Sequence, residues 1–309
     1  MQKLLKLFFI CYFLNAGLLT AQKYRGEIFL LLRDPASAAE GNSGVSTPQS
    51  LGAMLLNPSL VNLTNSGIYF SHFEIFNGLI ASENLSLKLD VGIGSYKNGF
   101  NIFYLHSDPI EVTRLRDENL GVVEGNIDVS GAHVYRFYLI TWITGQQINK
   151  NSYFGTAVKL FRETFFNYVE NGAGVDLGYT ILLKDLTIGI SARDVFFSVF
   201  KGKTLELANP SFGLGLTKTS NNLNWSMEAD FFTDGPYPGA IINIGKLSMD
   251  FKFGAEYRPV ENFAVRFGFY RGYLSAGAGL KWKKFAIDYS LSPNPELNTT
   301  HKIGAGICF

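Results

Sequence analysis

The 309-residue chain has few charged residues and few cysteines, and both shortages restrict its class. Charged residues make up 17% of the chain, whereas about 25% is usual for a soluble domain. Two cysteines cannot build a disulfide scaffold, and only Cys308 lies outside the first 21 residues. The net charge of +1 gives no basic field, so we expect no nucleic-acid partner.

Long hydrophobic runs are also missing after residue 21. A membrane-spanning helix needs about 18 consecutive apolar residues, and no stretch there is that long. Residues 1–21 have the features of a secretory signal, with Lys3 and Lys6 at the start, an apolar core and Ala21 at the end. We predict that this segment is cleaved; a retained N-terminal anchor is the alternative. An exported, aromatic-rich chain without a spanning helix favours the outer membrane of a diderm bacterium.

Alternation of apolar with polar or small residues is the strongest pattern that the sequence does contain. It is clearest in four runs near the C-terminus, at residues 263–270, 274–282, 285–292 and 302–309. A side-chain period of two indicates β-strands with two different faces. A soluble sandwich alternates in the same way, but a chain that ends on an aromatic in the apolar phase favours a membrane barrel with an apolar outside.

Residues 66–309 are therefore predicted to form an all-β, transmembrane antiparallel β-barrel. If these residues form about 14 strands, each strand with its connection has about 17 residues. Twelve or sixteen strands fit as well. The phase of alternation is ambiguous at residues 68–75 and 100–105, and residues 107–126 read as a long polar loop. Gly-x-Gly pairs in these runs indicate strand coiling or close approach by a plug. They begin at Gly92, Gly172, Gly213, Gly277 and Gly304.

Residues 22–65 do not alternate and are predicted to fold into the barrel lumen as a short helical and irregular plug. Thr47-Pro48 predicts a helix start, because a hydroxyl N-cap precedes a proline. Asn57-Pro58 predicts the end of that helix. The residues that we assign to the plug, or hatch, are Asp34, Pro35, Asn57 and Pro58. A loose periplasmic tail is the alternative.

Charged residues in the polar phase of the predicted strands should face the lumen, because a charge at the lipid midplane costs about 2–4 kcal/mol. They are Asp176, Arg193, Glu228, Asp230, Glu256, Arg258 and Arg266. They can pair with one another and with the plug, or they can contact a ligand. At the C-terminus, Ile303, Ile307 and Phe309 form the predicted signal for the barrel assembly machinery.

The sequence gives no sign of catalysis. Its four histidines lack metal-ligand spacing, and neither a Gly-x-Ser-x-Gly elbow nor a dinucleotide fingerprint is present. A membrane hydrolase would need a serine and a histidine near the rim, and Ser130 and His133 are candidates that no motif marks. We therefore expect a non-enzymatic protein with no catalytic residues, no metal and no cofactor.

Two stretches also carry a resemblance to a known family. The first is Asp-Pro-Ala-Ser-Ala-Ala at residues 34–39, followed by Asn-Pro-Ser-Leu at residues 57–60. The second comprises residues 254–258, 263–268, 277–280, 288–289, 295–297 and 300–303 with the terminal Phe309. Together they resemble the PorV/PorQ family of outer-membrane proteins, which belongs to the FadL-like barrel superfamily. Leu56 and Asn298-Thr299 depart from the family's usual aromatic and glycine.

The resemblance implies a 14-stranded barrel with an N-terminal hatch and one of two functions. PorV-like members are accessory or shuttle components of type IX protein secretion, with a translocon and secreted cargo as partners. FadL-like members are channels for passive uptake of hydrophobic small molecules such as long-chain fatty acids. Both kinds contact outer-membrane lipid. From the sequence we favour the secretion role and keep the channel as the alternative.

Overall fold

The computed structural model describes residues 27–48, 50–76, 78–89, 95–123, 125–195, 198–202, 205–233, 235–236, 240–293 and 299–309. The predicted signal segment, residues 1–21, lies outside the described residues. So do residues 22–26 of the predicted plug, Gly92, and residues 295–298 of the family resemblance.

The described residues contain nineteen β-strands. They are β1 Gly67–Ile75, β2 Ile80–Leu89, β3 Tyr96–Ser107, β4 Ile110–Leu115, β5 Ile127–His133, β6 Arg136–Asn149, β7 Ser152–Phe165, β8 Tyr168–Leu182, β9 Leu186–Arg193, β10 Ser198–Lys201, β11 Leu205–Ala208, β12 Ser211–Ser220, β13 Leu223–Phe232, β14 Ile242–Ile244, β15 Leu247–Val260, β16 Phe263–Tyr270, β17 Tyr273–Trp282, β18 Phe285–Ser292 and β19 Thr300–Cys308.

Fourteen of these strands form a closed antiparallel barrel, as the alternation predicts. The wall runs through β1, β2, β3, β6, β7, β8, β9, β12, β13, β15, β16, β17, β18 and β19. It closes where β1 pairs with β19, from Gly67 opposite Cys308 to Glu74 opposite His301. Closure leaves no free sheet edge, which is the condition for a β-structure in a bilayer.

The remaining strands are additions to this wall. Strands β10 and β11 form a hairpin that pairs with β8 beyond the end of β9, and β14 pairs with the start of β15. Strands β4 and β5 form a separate two-stranded hairpin, which we call the arm. The polar loop predicted at residues 107–126 is therefore wrong in part, because β4 pairs with β5 through the backbone regardless of its charged side chains.

The predicted phases of the C-terminal runs are correct. In β16, Phe267 is 57% exposed on the outside, whereas Ala264, Arg266 and Gly268 are buried. In β19, Ile303 and Ile307 are exposed outward and Lys302 is buried. Two stacked sheets would bury these same apolar residues against each other, so the exposed faces exclude a sandwich and fit a wall surrounded by lipid.

The N-terminal segment, residues 27–65, lies against the inner face of the barrel. It contains the 3-10 helices Glu27–Leu31, Leu51–Leu55 and Pro58–Asn62 and one short α-helix, α1, at Pro35–Ala39. A further 3-10 helix, Glu118–Leu120, lies at the tip of the arm. None of the described helices is long and apolar enough to cross a membrane.

The predicted helix start at Thr47-Pro48 is wrong. Helix Leu51–Leu55 begins later, with Ser50 as its N-cap. The Thr47 hydroxyl is instead 2.9 Å from the Thr217 hydroxyl on the wall. Contact with the barrel therefore overrides the local capping preference of this threonine.

Wall glycines let the segment approach the inner face closely. A Cβ added at Gly178 would lie 2.8 Å from the backbone nitrogens of Pro58 and Ser59, and one at Gly277 would lie 2.6 Å from Ala39 Cβ. Gly213 faces Val45 in the same way. The Gly-x-Gly pairs that begin at Gly213 and Gly277 therefore face the segment. Two further pairs in the described chain face aromatic side chains of the wall instead: Gly172 lies against Phe161, and Gly304 lies against Tyr69.

The glycine contact predicts a specific sensitivity. Gly178→Val should lower the free energy of unfolding by about 1–3 kcal/mol, because the new side chain would overlap the backbone of the segment. Its measure is thermal loss of the compact barrel band in gel electrophoresis, with protease access to the segment as a second readout. Gly131→Val in the arm is the matched control, since a Cβ there meets no atom within 4 Å. Equal losses in both variants would contradict a close fit at Gly178.

Candidate functional site in the barrel lumen

One sector of the lumen is apolar, and we call it the chamber. Its wall side chains come from β1, β3, β6 and β7, the added strand β11 contributes Ala208, and the N-terminal segment contributes the rest. The buried wall residues are Phe73, Phe103, Leu105, Phe137, Leu139, Ile143, Ala157 and Phe161. The segment adds Leu32, Met54, Leu55 and Val61. Four phenylalanines on the inner face are unusual, because the lumen of a membrane barrel is generally polar.

Phe29 of the segment lies among these aromatic rings. Its ring centre is 5.3 Å from that of Phe161 and 6.1 Å from that of Phe137, both in edge-on geometry. Ile28 and Leu31 also pack against the chamber, and all three side chains are only partly buried. The helix Glu27–Leu31 therefore packs its apolar side chains against the chamber.

Hydrogen bonds hold the segment across the lumen, and Asn57 makes several of them. Its side-chain nitrogen donates to Val45 O at 2.7 Å within the segment and to Thr180 Oγ1 at 3.1 Å on the wall. Its side-chain oxygen accepts from the Ser59 backbone at 3.1 Å, so Asn57 also caps helix Pro58–Asn62. Pro58 occupies the first turn of that helix, where a missing N–H costs nothing.

Asp34 has the same double role at the other end of the segment. Its carboxylate accepts the Ser37 N–H at 2.7 Å and so caps α1, with Pro35 in the first turn. The second carboxylate oxygen accepts the hydroxyl of Ser50, which ties two turns of the segment together. All four residues assigned to the plug thus start short helices inside the barrel, while their role in a hatch stays a prediction.

Two more anchors join the segment backbone to other strands of the wall. Glu228 Oε2 accepts the N–H groups of Gly44 at 2.9 Å and Val45 at 3.0 Å. Ser275 donates to Ala39 O at 2.9 Å and accepts from Gly41 N at 3.0 Å. A buried backbone must find partners for its polar groups, and polar wall residues supply them here.

A buried charge network lies beside the chamber. Asp230 is 2.7 Å from Arg193 Nη2 and 2.5 Å from Lys252 Nζ, and Arg33 of the segment approaches it to 3.9 Å. Lys252 is also 2.6 Å from Glu228 Oε1. The predicted lumen charges Arg193, Glu228 and Asp230 therefore lie in one group, and each ion has partners that offset its burial.

Asp176 belongs to a neighbouring group. Lys159 Nζ lies 2.8 Å from Asp176 and 2.5 Å from Asp194, and Lys159 also lies 4.2 Å from the centre of the Phe29 ring. The same Asp176 oxygen accepts the Asp194 N–H at 2.8 Å. Asp194 has a positive φ of 55°, and it marks the break between β9 and β10.

Glu256 and Arg266 lie in a third group near the end of the barrel where residues 261–262 join β15 to β16. Arg266 is 2.8 Å from Glu256 and 2.6 Å from Asp288, and Tyr69 donates to Asp288 at 3.1 Å. Arg258 is 2.8 Å from Glu256 but is 39% exposed in its side chain. Of the seven predicted lumen charges, six are buried inside the barrel and Arg258 lies at the rim.

Further buried charges in or beside these groups, which the predicted set does not include, are Arg33, Lys159, Asp194, Lys252, Asp288 and Lys302. Lys252, Asp288 and Lys302 lie in the polar phase of clear alternating runs, so the same signal could have found them. Lys302 Nζ donates to Arg33 O at 3.0 Å and lies 4.2 Å from the Phe73 ring centre. It therefore stands at the border between the charged groups and the chamber.

The other sequence candidates lie away from the lumen. Ile303, Ile307 and Phe309 are exposed on the outer wall at the seam with β1, and their recognition by assembly machinery stays a prediction. Ser130 donates to Val112 O at 2.9 Å within the arm, and the His133 ring lies 4.3 Å from that of Phe166. Within the described ranges, no three histidine, cysteine or acidic side chains are arranged to hold a metal ion.

Several solved structures have this architecture. The toluene transporter TbuX of Ralstonia pickettii matches with a TM-score of 0.63 and 15% identity, over 90% of this chain and 98% of TbuX. The CymD monoaromatic hydrocarbon channel matches with a TM-score of 0.63 and 13% identity, over 89% and 97%. A FadL homologue of Pseudomonas aeruginosa matches with a TM-score of 0.55 and 11% identity, over 89% and 98%.

These matches show a FadL-like fold. No protein-family model matches the sequence, and neither does any curated protein sequence. The FadL-like part of the resemblance is thus confirmed at the level of the fold, while membership of the PorV/PorQ family stays a prediction.

The charge group around Asp230 gives a test of what holds the lumen together. Asp230→Asn should lower the free energy of unfolding by about 3–5 kcal/mol, because Arg193 and Lys252 would remain buried without their shared partner. Denaturant titration of the folded barrel measures this loss. Asp128→Asn is the control, because the Arg116–Asp128 pair is exposed on the arm and should contribute about 0–1 kcal/mol. Similar midpoints for the two variants would contradict a structural role for Asp230.

Proposed function

We propose that this protein is a non-enzymatic outer-membrane channel for passive uptake of hydrophobic small molecules. The observation that supports it most is the chamber, an apolar site inside a barrel whose inner face is otherwise polar. Small-molecule sites are concave, mostly apolar and bordered by a few polar groups. The chamber has this composition, with Lys159, Lys302 and Arg33 at its border.

The N-terminal segment acts as the hatch in this proposal. Ile28 and Phe29 pack against the chamber. They precede in sequence the hydrogen-bonded residues Asp34 and Asn57, which anchor the rest of the segment. A ligand that binds the chamber competes with these two side chains, so binding favours a displaced helix Glu27–Leu31. A ligand shifts an equilibrium between two conformations only if it binds one of them more tightly. Here the ligand binds more tightly when the helix is displaced, because the helix and the ligand occupy the same site.

The apolar outer face of the barrel supports a location in the outer membrane. The outward phase of the fourteen wall strands is largely apolar, and the arm projects from the end opposite the short turns that join β6 to β7 and β8 to β9. Bacterial outer-membrane barrels keep short turns on the periplasmic side and long loops outside. We therefore place the arm on the cell surface and residue 309 on the periplasmic side.

The names of the similar structures agree with this proposal. TbuX is a toluene transporter and CymD a monoaromatic hydrocarbon channel, so proteins with this fold pass small apolar molecules. In this chain, aromatic rings at Phe103, Phe137 and Phe161 would contact a ligand of that size or the tail of a fatty acid.

An accessory role in type IX secretion is the second candidate, and the arm is the observation that favours it. Leu120 and Val122 at its tip are 61% and 80% exposed. Exposed apolar side chains on a projecting hairpin suit contact with another protein. This role predicts co-purification with a translocon or cargo and loss of surface proteins in a deletion strain; normal secretion in that strain would exclude it.

Uptake by liposomes that contain the purified protein tests the channel. We expect toluene or a long-chain fatty acid to enter faster than in empty liposomes. Phe29→Ala should raise the rate by up to about tenfold, since full burial of such a ring contributes about 1.5–3 kcal/mol and Phe29 is only partly buried.

Phe212→Ala is the matched control, because this ring is 42% exposed and lies on the outward face of β12. It should leave uptake unchanged. Wild-type liposomes that pass neither molecule would contradict the channel, and uptake that does not respond to Phe29→Ala would contradict the hatch.

A further inference from the structure

The outer wall carries an apolar groove at the seam where the first and last strands meet. The groove has a volume of about 640 Å³ and lies across β17, β18, β19 and β1. One row of paired residues crosses it, from Leu280 to Ile287, Ala305 and Phe70. Ala305 is the only short side chain in this row, so a depression forms between larger neighbours.

Basic residues border the groove at the end of the barrel with the short turns. The turn between β17 and β18 consists of Lys283 and Lys284, and both are exposed. Lys283 Nζ is 5.3 Å from the centre of the Trp282 ring, which stacks on Phe285 at 6.2 Å. An apolar groove thus ends at aromatic rings and then at positive charge.

This order of groups matches the order in a phospholipid. Trp and Tyr rings favour the membrane interface, and lysines near it attract anionic headgroups. Other short turns at the same end lack the combination: Lys150 stands alone between asparagines, and Lys184 is followed by Asp185. Among the described turns at this end, a pair of adjacent lysines occurs only beside the groove.

We propose that the groove binds one anionic phospholipid of the surrounding membrane. An acyl chain lies over Ala305 between Phe70 and Ile287, and the phosphate contacts Lys283 and Lys284. The occupant would cover the seam between β1 and β19, where the barrel closes. The proposal rests on insertion of the barrel in a membrane and does not depend on transport through the lumen.

Quenching of Trp282 by brominated lipid tests this site. The chain has three tryptophans, so Trp142→Phe with Trp225→Phe leaves Trp282 as the sole reporter. The protein is placed in phosphatidylcholine vesicles with increasing fractions of either chain-brominated phosphatidylglycerol or chain-brominated phosphatidylcholine. We expect half-maximal quenching at an at least about fivefold lower fraction of the anionic lipid, because each interfacial lysine strengthens binding by roughly that factor.

Two sets of variants assign the effect to the groove. Lys283→Gln with Lys284→Gln should abolish the preference for phosphatidylglycerol, whereas Lys150→Gln with Lys184→Gln should retain it. Ala305→Leu should reduce quenching by both lipids, because the side chain fills the depression. The compact band in gel electrophoresis verifies that each variant is folded.

The outcomes separate clearly. Equal quenching by both lipids in the wild-type background would mean contact with bulk lipid only and would overturn the proposal. A preference that survives in the Lys283 and Lys284 variant would overturn the assigned headgroup contact, and unchanged quenching in Ala305→Leu would overturn the assigned chain position. None of these results affects the liposome uptake assay, so the lipid site and the channel can fail independently.

Discussion

Closure of the strand ladder is the constraint on which the rest of this structure depends. Hydrocarbon offers no partner to a backbone N–H or C=O, so the first strand must pair with the last, and β1 does so with β19 over eight residue pairs. A closed wall of fourteen strands fixes the outward phase as apolar. It also encloses a lumen wider than that of an eight-stranded barrel, which side chains alone can fill. The closed wall therefore leaves room inside for more than its own side chains.

The N-terminal segment occupies part of that room, and the polar groups of its backbone match the polar residues of the inner wall. An irregular segment has many N–H and C=O groups without partners of its own. Glu228, Ser275 and Thr180 reach from the wall to these groups or to the residues that cap the short helices. Glycines such as Gly178 remove side chains where the two backbones approach most closely. Polar wall and irregular segment are therefore complementary parts of one interior.

The barrel could be predicted from the sequence because its signal is local. Phe263, Phe267 and Arg266 show their opposite faces within five residues, and no knowledge of distant contacts is needed. The start of a helix in the segment could not be predicted, because Thr47 bonds to Thr217, which is 170 residues away. Arg258 shows a second limit, since the phase of a residue does not reveal how close it lies to the rim.

The ambiguous phase of two strands in the sequence is a signal of the chamber. Residues 68–75 and 100–105 lack a clear phase because both faces of β1 and β3 are apolar there: Phe70 and Ile102 point outward, whereas Phe73 and Phe103 point inward. A strand that is apolar on both faces has apolar surroundings on both sides. In a membrane barrel one side is lipid, so the other must be an apolar site in the lumen.

That reasoning also bears on the choice between the two functions. Phe73, Phe103, Phe137 and Phe161 are kept from water by the helix Glu27–Leu31 and the residues that follow it. If that helix moved in an otherwise empty lumen, the rings would become exposed to water, which is unfavourable by about 25 cal/mol for each Å² of apolar surface. A hydrophobic ligand in the chamber would remove this cost, because it would cover the same surface that Phe29 covers in this structure. The proposed channel uses this exchange of one apolar group for another, whereas contact between the arm and a secretion partner does not involve it.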